Sequence, residues 1–445
     1  GGEFVMNKLS YDKFNLFEKV FICLLLLLLF MNVNSFVTFF LYMLLVLFSL
    51  FNNKYYISYI LIGAGNYLPI VYGMSPLLIS MISMSMYLFK SILKQKLIKK
   101  PKYLNDFFLL LVFMSIVGCI NGIFNNDLSF GIDIFMIMVF LYISYIFIFN
   151  GCIEINEIIK YLIFGISTGI IFSFLIKLGI IGSLNAYTGR LSVGDRADPN
   201  SSGLLFGILS VYYFITLFDN INKRKKIKLI NVIMQTLSLF CLFLTQSRGS
   251  LLCMVITCIL FIFMRKKENN ESSAIGFFRI IGIFVFLVAV SFIFSSITNL
   301  ILSSWNEFLY RIQNPASQDG ERLFLLEMSF KSFLQNPITG NSIQNFKVIA
   351  GHIPHNSFSD FMVTNGIFGI LFYIFFFAFP LFKIFKVRKK GEIKISFYIY
   401  LECFFNMFFY SASCEKIAYF LLLLFLLNYR LEGVTYEKDY VTRSN

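Results

Sequence analysis

Two histidines, three positions apart, are the whole histidine complement of the chain, in Gly351-His352-Ile353-Pro354-His355-Asn356-Ser357-Phe358. An imidazole changes charge near neutral pH, so it can take up and return a proton where few other side chains can. The pair stands where a polar stretch gives way to an apolar helix, which points to proton chemistry at the edge of a hydrophobic phase. His355 has the better placement. It follows Pro354 and precedes a helix expected to begin near Ser357, and the positive end of a helix dipole favours the neutral ring that a general base needs. Asn356 is placed to orient that ring or a bound substrate, and His352 reads as a rim residue. No metal is expected, because two histidines without clustered cysteines are too few ligands for zinc.

The hydrophobic phase is a membrane. Hydrophobic residues make up 58% of the 445 and charged residues only 14%, against about a quarter charged in a soluble globular protein. All eight cysteines (Cys23, Cys119, Cys152, Cys241, Cys253, Cys258, Cys403 and Cys414) fall in or at the ends of apolar runs and form no CxxC pair, so buried free thiols are expected. Residues 1–5 (Gly-Gly-Glu-Phe-Val) read as a cloning remnant, and 6–445 as a single integral membrane domain.

A helix needs about 20 apolar residues to cross a bilayer. On that basis the fold class is all-α: a polytopic bundle of about 14 spans, with 12 the lower count. The spans lie near 17–31, 35–51, 55–73, 75–93, 105–124, 130–149, 157–181, 202–218, 229–246, 249–264, 276–299, 358–382, 394–411 and 416–428. Cytoplasmic loops carry the excess of Lys and Arg. With alternating spans the dense clusters (Lys90 to Lys102, Lys223 to Lys226, Arg265 to Lys267, Lys383 to Lys394) all land on one side, together with both termini. The expected location is therefore a cytoplasmic (inner) membrane with both termini in the cytoplasm. Asp133, Lys177 and Glu402 are the few candidates for ionisable residues that face a cavity within spans, and each is near enough to an end to snorkel.

Nine of the 38 basic residues then lie outside, leaving 29 inside. Five of the nine are arginine: Arg190, Arg196, Arg248, Arg311 and Arg322. Lysine suffices as a topological anchor, whereas the guanidinium fork grips phosphate or carboxylate in two-point fashion. The enrichment points to an anionic ligand on the outer face. The charge distribution excludes nucleic acid as the partner.

Two outer loops are long. One covers 182–201. The other, 300–357, is expected to roof a site: Trp305 anchors it at the interface, and a helix is predicted over Glu321 to Leu334. Leu323, Leu326, Phe330, Phe333 and Leu334 share one side of that helix and are expected to cap the bundle. Asn336-Pro337 stops it. Gly63, Gly65, Asn66 and Pro69 interrupt the third span, more as a packing kink than as a broken-helix binding site. No internal repeat or GxxxxGK[ST] phosphate loop is present.

Three groups of residues occur in a fixed order. Gly189-Arg190-Leu191 precedes Asp198-Pro199-Asn200. Thr245-Gln246-Ser247-Arg248-Gly249-Ser250 lies at the outer join of a tight hairpin. The late loop holds Arg322, then Asn336-Pro337-Ile338-Thr339-Gly340, then His355-Asn356-Ser357-Phe358, with Asn365-Gly366-Ile367-Phe368-Gly369 inside the next span. In order and spacing, over about 189–369, this resembles the O-antigen polymerase and O-antigen ligase superfamily of bacterial membranes, with a Wzy-type polysaccharide polymerase favoured. The N-terminal spans match in hydropathy alone. At Glu327 the chain departs from the aromatic residue the resemblance implies.

The resemblance implies a membrane glycosyltransferase whose donor is a glycan on undecaprenyl diphosphate in the outer leaflet, without a cofactor. Carried over, the essential groups are Arg190, Arg248 and Arg322 on the diphosphate and His355 as base. Asn356, His352, Arg196 and Arg311 are supporting candidates. Positioned arginines stabilise a leaving diphosphate as a metal would, and the first outer loop, Asn32 to Ser35, offers no acid to hold one. A single displacement implies inversion at the anomeric carbon. The implied partners are membrane lipid, a chain-length regulator (polysaccharide co-polymerase) and a flippase of the same pathway. The rival readings are an O-antigen ligase, transferring glycan to a lipid A–core sugar, and, outside the class, a lipid-linked oligosaccharide flippase or transporter.

Overall fold

The computed structural model describes residues 16–32, 34–51, 56–93, 104–150, 154–180, 190–193, 198–219, 225–264, 306, 316–382, 393–411 and 415–443. Among these the chain is helical, apart from turns and one isolated bridge between Val71 and Met74. That is the physical expectation for apolar runs in lipid, where each backbone N–H and C=O must find a partner within its own segment.

The helices follow the hydropathy. They are α1 (Leu16–Met31), α2 (Ser35–Phe51), α3 (Tyr56–Ala64), α4 (Pro76–Leu93), α5 (Asn105–Asn125), α6 (Ser129–Asn150), α7 (Ile155–Lys177), α8 (Pro199–Asp219), α9 (Lys225–Leu244) and α10 (Arg248–Met264). The late loop contributes α11 (Ala316–Gln335) and α12 (Ile343–Ala350), and the last spans are α13 (Ser357–Phe372), α14 (Ile395–Asn406) and α15 (Lys416–Arg443). Six stretches are long and apolar enough to cross a membrane unaided: Pro76–Leu93, Asn105–Asn125, Ser129–Asn150, Ile155–Lys177, Pro199–Phe218 and Ser357–Phe382. The chain is a multi-pass membrane protein. The expected span at 276–299, Trp305, the 1–5 segment and most of the basic clusters lie outside the described residues.

The chain divides into two units. The first is 1–103, 140–184 and 193–197. In it α3 stops after nine residues and lies backbone to backbone on α7. A Cβ on Gly63 would come within 2.2 Å of the Leu162 carbonyl oxygen, and one on Gly165 within 2.1 Å of that of Ile60. Gly63 is therefore a packing glycine.

The second unit is 104–139, 185–192 and 198–445. It holds α8 against α9, α10 and α14, and α13 against α5 and α11. Here Glu402 departs from expectation. It does not snorkel but is fully buried on α14, where Thr257 Oγ1 donates to Oε2 at 3.1 Å and Asn406 Nδ2 to Oε1 at 2.9 Å. The cause is steric. Gly207 of α8 leaves room for the carboxyl, since a Cβ there would sit 2.5 Å from Oε1. All six described cysteines are free, four of them buried; Cys152 and Cys414 are outside the described residues.

The surface helix α11 includes the predicted 321–334, but its expected face is corrected. The residues packed inward are Leu325, Ser329 and Ser332, with Leu325 in one cluster with Phe346 of α12 and Val363 of α13. Leu323, Phe330 and Leu334 share a face, as predicted, but that face points away from the unit's interior. Periodicity identifies an apolar stripe; it does not say whether protein or lipid covers it.

α13 is broken within the span. Gly366 has φ 57° and ψ −137°, a conformation open to glycine alone. Beyond it the chain continues through a π-helical turn, Tyr373–Ala378.

Candidate active site

Five short segments of the second unit meet around the α9–α10 hairpin and the start of α13. The hairpin comes first. Thr245 follows the end of α9 at Leu244, Gln246 takes a left-handed conformation (φ 52°), and Ser247 leads into α10, so that Arg248 is the first residue of that helix. First-turn N–H groups point out of a helix end and favour an anion there. Ser247 Oγ bonds Ser250 Oγ at 3.0 Å and donates to Asn200 Oδ1 at 3.2 Å, tying the hairpin to the start of α8. Arg248 is half-buried.

Arg190 reaches across this join. Its Nε donates to the Thr245 carbonyl oxygen at 3.0 Å and its Nη2 to Asn200 Oδ1 at 3.1 Å, while the Leu191 N–H donates to the Leu244 carbonyl at 3.1 Å. Asp198 completes the corner by accepting from the Asn200 backbone N–H at 3.0 Å and its Nδ2 at 3.1 Å. The landmark Asp198-Pro199-Asn200 thus works as a helix start whose side chains fasten Arg190. Asn200 and Thr245 are the residues the sequence reading did not single out, and their signal was their place inside two recurring motifs.

His355 stands at the opposite edge of the same region. Gly351, in the left-handed region, ends α12, and its N–H donates to the Lys347 carbonyl at 2.9 Å. The chain then turns through His352, exposed, and His355, half-buried, into α13. Asn356 is the N-cap of α13: its Oδ1 accepts from the Ser359 N–H at 2.7 Å. The helix begins at Ser357, as expected, and His355 sits just outside its first turn.

The turn that follows α14 joins the two halves. The Ser357 N–H donates to the Met407 carbonyl at 2.8 Å, and its Oγ to the Tyr410 carbonyl at 3.1 Å. Ser411 Oγ donates to the buried carboxylate of Asp360, one turn into α13. On the other flank Phe409 lies so close to Gly249 that a Cβ there would be 2.6 Å from the Phe409 Cβ. Residues 407–411 therefore touch both the neighbour of Arg248 and the helix start beside His355.

Arg322 belongs to the same unit. It is half-buried on α11, one turn before Leu325, and among the described residues no hydrogen bond or ion pair holds it. Glu327, at the position where an aromatic residue was implied, pairs with Lys331 at 2.6 Å. That hydrogen bond and charge hold its carboxyl below the usual range. Arg196 and Arg311 lie outside the described residues.

The two remaining landmarks meet each other. The Ile367 N–H donates to the Pro337 carbonyl at 2.8 Å, and the Asn341 N–H to the Val363 carbonyl at 2.7 Å. Gly340 (φ 68°) lies against Thr364, with 2.5 Å to a hypothetical Cβ. Asn-Pro-Ile-Thr-Gly and Asn-Gly-Ile-Phe-Gly are two halves of one joint: the break at Gly366 exposes backbone groups that the loop then satisfies.

A family model described as O-antigen ligase (Wzy_C) matches residues 233–374. The match takes in the hairpin with Arg248, the helix with Arg322, the Pro337–Gly366 joint and His355; the Arg190 segment lies upstream of it. No curated protein matches the chain. Residues 233–374 are thus a domain of the O-antigen polymerase and ligase superfamily, a glycosyltransferase-like domain of O-antigen assembly carried by a multi-pass membrane protein.

Proposed function

We propose, from the premise that residues 233–374 are an O-antigen ligase-family domain, that the chain polymerises lipid-linked oligosaccharide repeat units on the outer face of a bacterial cytoplasmic membrane. The donor is a glycan on undecaprenyl diphosphate. The acceptor is the terminal hydroxyl of a second lipid-linked unit. His355 takes the proton of that hydroxyl as its oxygen bonds the anomeric carbon; the bond from that carbon to the diphosphate oxygen breaks on the opposite side, and the polyprenyl diphosphate leaves. The configuration inverts. Arg248 and Arg322 neutralise the charge that develops on the diphosphate, where it is worth most in a water-poor site. Arg190 holds the hairpin that carries Arg248, His352 rims the site, and 300–357 roofs it. The reaction as drawn needs no metal or cofactor. Both termini lie in the cytoplasm, and a chain-length regulator and a flippase act beside the enzyme.

The observation that carries the reading is the 407–411 turn, which contacts the hairpin next to Arg248 and the helix start next to His355. It supports an anion site and a base in one neighbourhood.

The test is reconstitution of the purified chain with lipid-linked repeats and no other protein. Glycosidic bonds longer than one repeat are expected, and their loss in His355→Ala and Arg322→Lys. Full-length polymer from either variant would end that residue's assignment, and translocation without bond formation would make the chain a transporter. A ligase is separated by phenotype. Without a polymerase a single repeat remains on the lipid core, whereas without a ligase all polymer stays on its carrier lipid.

A further inference from the structure

The turn between α11 and α12 meets the end of α5 and reaches about two turns into α13. Asn125 Nδ2, at the end of α5, donates to the Gly340 carbonyl at 3.4 Å, and Asn121 Nδ2, one turn further in, donates to Asn365 Oδ1 at 3.1 Å. At helical rise Asn121 is about 6 Å inside the end of α5, and Gly366 about 14 Å past the start of α13. Irregular backbone at such depth is tolerated only where protein satisfies it, and here it is satisfied. The Gly340 N–H donates to the Asn336 carbonyl at 2.9 Å, Asn341 and Ile367 make the two bonds across to α13 and back, and Asn341 Nδ2 donates to the Ser332 carbonyl at 3.0 Å.

The outward side of the same segment is apolar. Leu323 is 67% exposed, Leu334 75% and Ile338 63%. On α5, Leu109, Val112, Ile116, Ile120 and Ile123 are likewise exposed, at helical spacing, along a stretch long and apolar enough to span a membrane. The Asn125–Gly340 bond brings the end of α5 to the turn that carries Ile338. Within the same exposed face, between Leu323 and Leu334, stand Glu327 and Lys331, paired with one another, as charges at headgroup level do.

We propose that α11 and its following turn are embedded in the lipid leaflet on the His355 side of the membrane, with Leu323, Phe330, Leu334 and Ile338 against acyl chains. The covering partner is bilayer lipid. This part of the roof over the site then faces lipid on one side. It is an in-plane membrane element pinned to the broken span, and Arg322 rides on it close to the level of lipid headgroups.

The test places single cysteines at Leu334 and Ile338 in the full chain, with native cysteines replaced, and labels each with an environment-sensitive fluorophore. The protein is reconstituted in phosphatidylcholine vesicles carrying a nitroxide on acyl carbon 5. Quenching by the nitroxide close to that of a label at Ile116 is expected, with little quenching by aqueous iodide; a label at Lys331 responds to iodide. Iodide quenching at Leu334 and Ile338 overturns the proposal, because the face is then in water. Protection from both quenchers also overturns it, because another segment or a second copy of the chain then covers the face. The readout is independent of the reaction, so it stands or falls apart from the proposed activity.

Discussion

Arg190 donates through Nε to the Thr245 carbonyl oxygen at 3.0 Å, bridging 55 residues of sequence to the hairpin that presents Arg248. One arginine therefore positions the hairpin that carries another. A guanidinium has five donors in a planar fork, and here two of them fix the geometry of the join.

Arg190→Lys and Arg248→Ala should behave differently. A lysine ammonium cannot reach Thr245 and Asn200 in the same fork geometry. The Arg190 variant is expected to lose about 1–2 kcal/mol of stability, read as a lower thermal midpoint, with activity falling alongside it. Arg248→Ala is expected to keep its midpoint and to lose about 10²- to 10³-fold in transfer rate.

His355 and His352 separate by assay. Removing a general base costs about 10²- to 10⁴-fold, so His355→Ala should show that loss in bond formation while lipid-linked donor still binds. His352→Ala, at the exposed position, should stay close to the unsubstituted enzyme. An equal loss in both would remove the distinction drawn between them.

Gly366→Ala tests the joint between loop and span. Its Cβ would meet the Pro337 carbonyl oxygen at 2.3 Å, in a backbone conformation that costs a non-glycine residue about 1–3 kcal/mol. The expected result is loss of activity with faster proteolysis of 316–342, both traced to release of the loop from α13.

Glu402 is structural by contact, and its replacement should show it. Glu402→Ala leaves a cavity and strips Thr257 and Asn406 of their acceptor, for a loss of about 3 kcal/mol or more. Glu402→Gln keeps the volume and is expected to be milder. A thermal midpoint unchanged in the alanine variant would mean that the carboxyl does not hold α10 to α14.

Much of this architecture was legible in the sequence. Hydropathy located each described span, because lipid permits only helices whose backbone bonds are internal. α3 was the exception in extent: it ends at Ala64. The start of α13 at Ser357 followed from the Pro354-His355-Asn356-Ser357 punctuation, and Asn356 proved to be its cap. Landmark order identified the family later matched over 233–374.

Three features were not legible, each for a physical reason. Membrane lipid and protein interior are alike apolar, so the stripe on α11 could be read while its direction could not; Leu325, Ser329 and Ser332, the face that packs inward, look less hydrophobic than the face that does not. Glu402 could not be placed because its burial depends on a glycine nearly 200 positions away on another helix. The Arg190–Thr245 bond and the Pro337–Ile367 bond join segments distant in sequence, and hydrogen bonds of that kind leave no periodicity to detect. The chain alone determined that there is a helical membrane protein with arginines and one histidine in ordered motifs. Tertiary packing decided which of those groups stand together, because side-chain geometry across helices is set by close contact and not by local pattern.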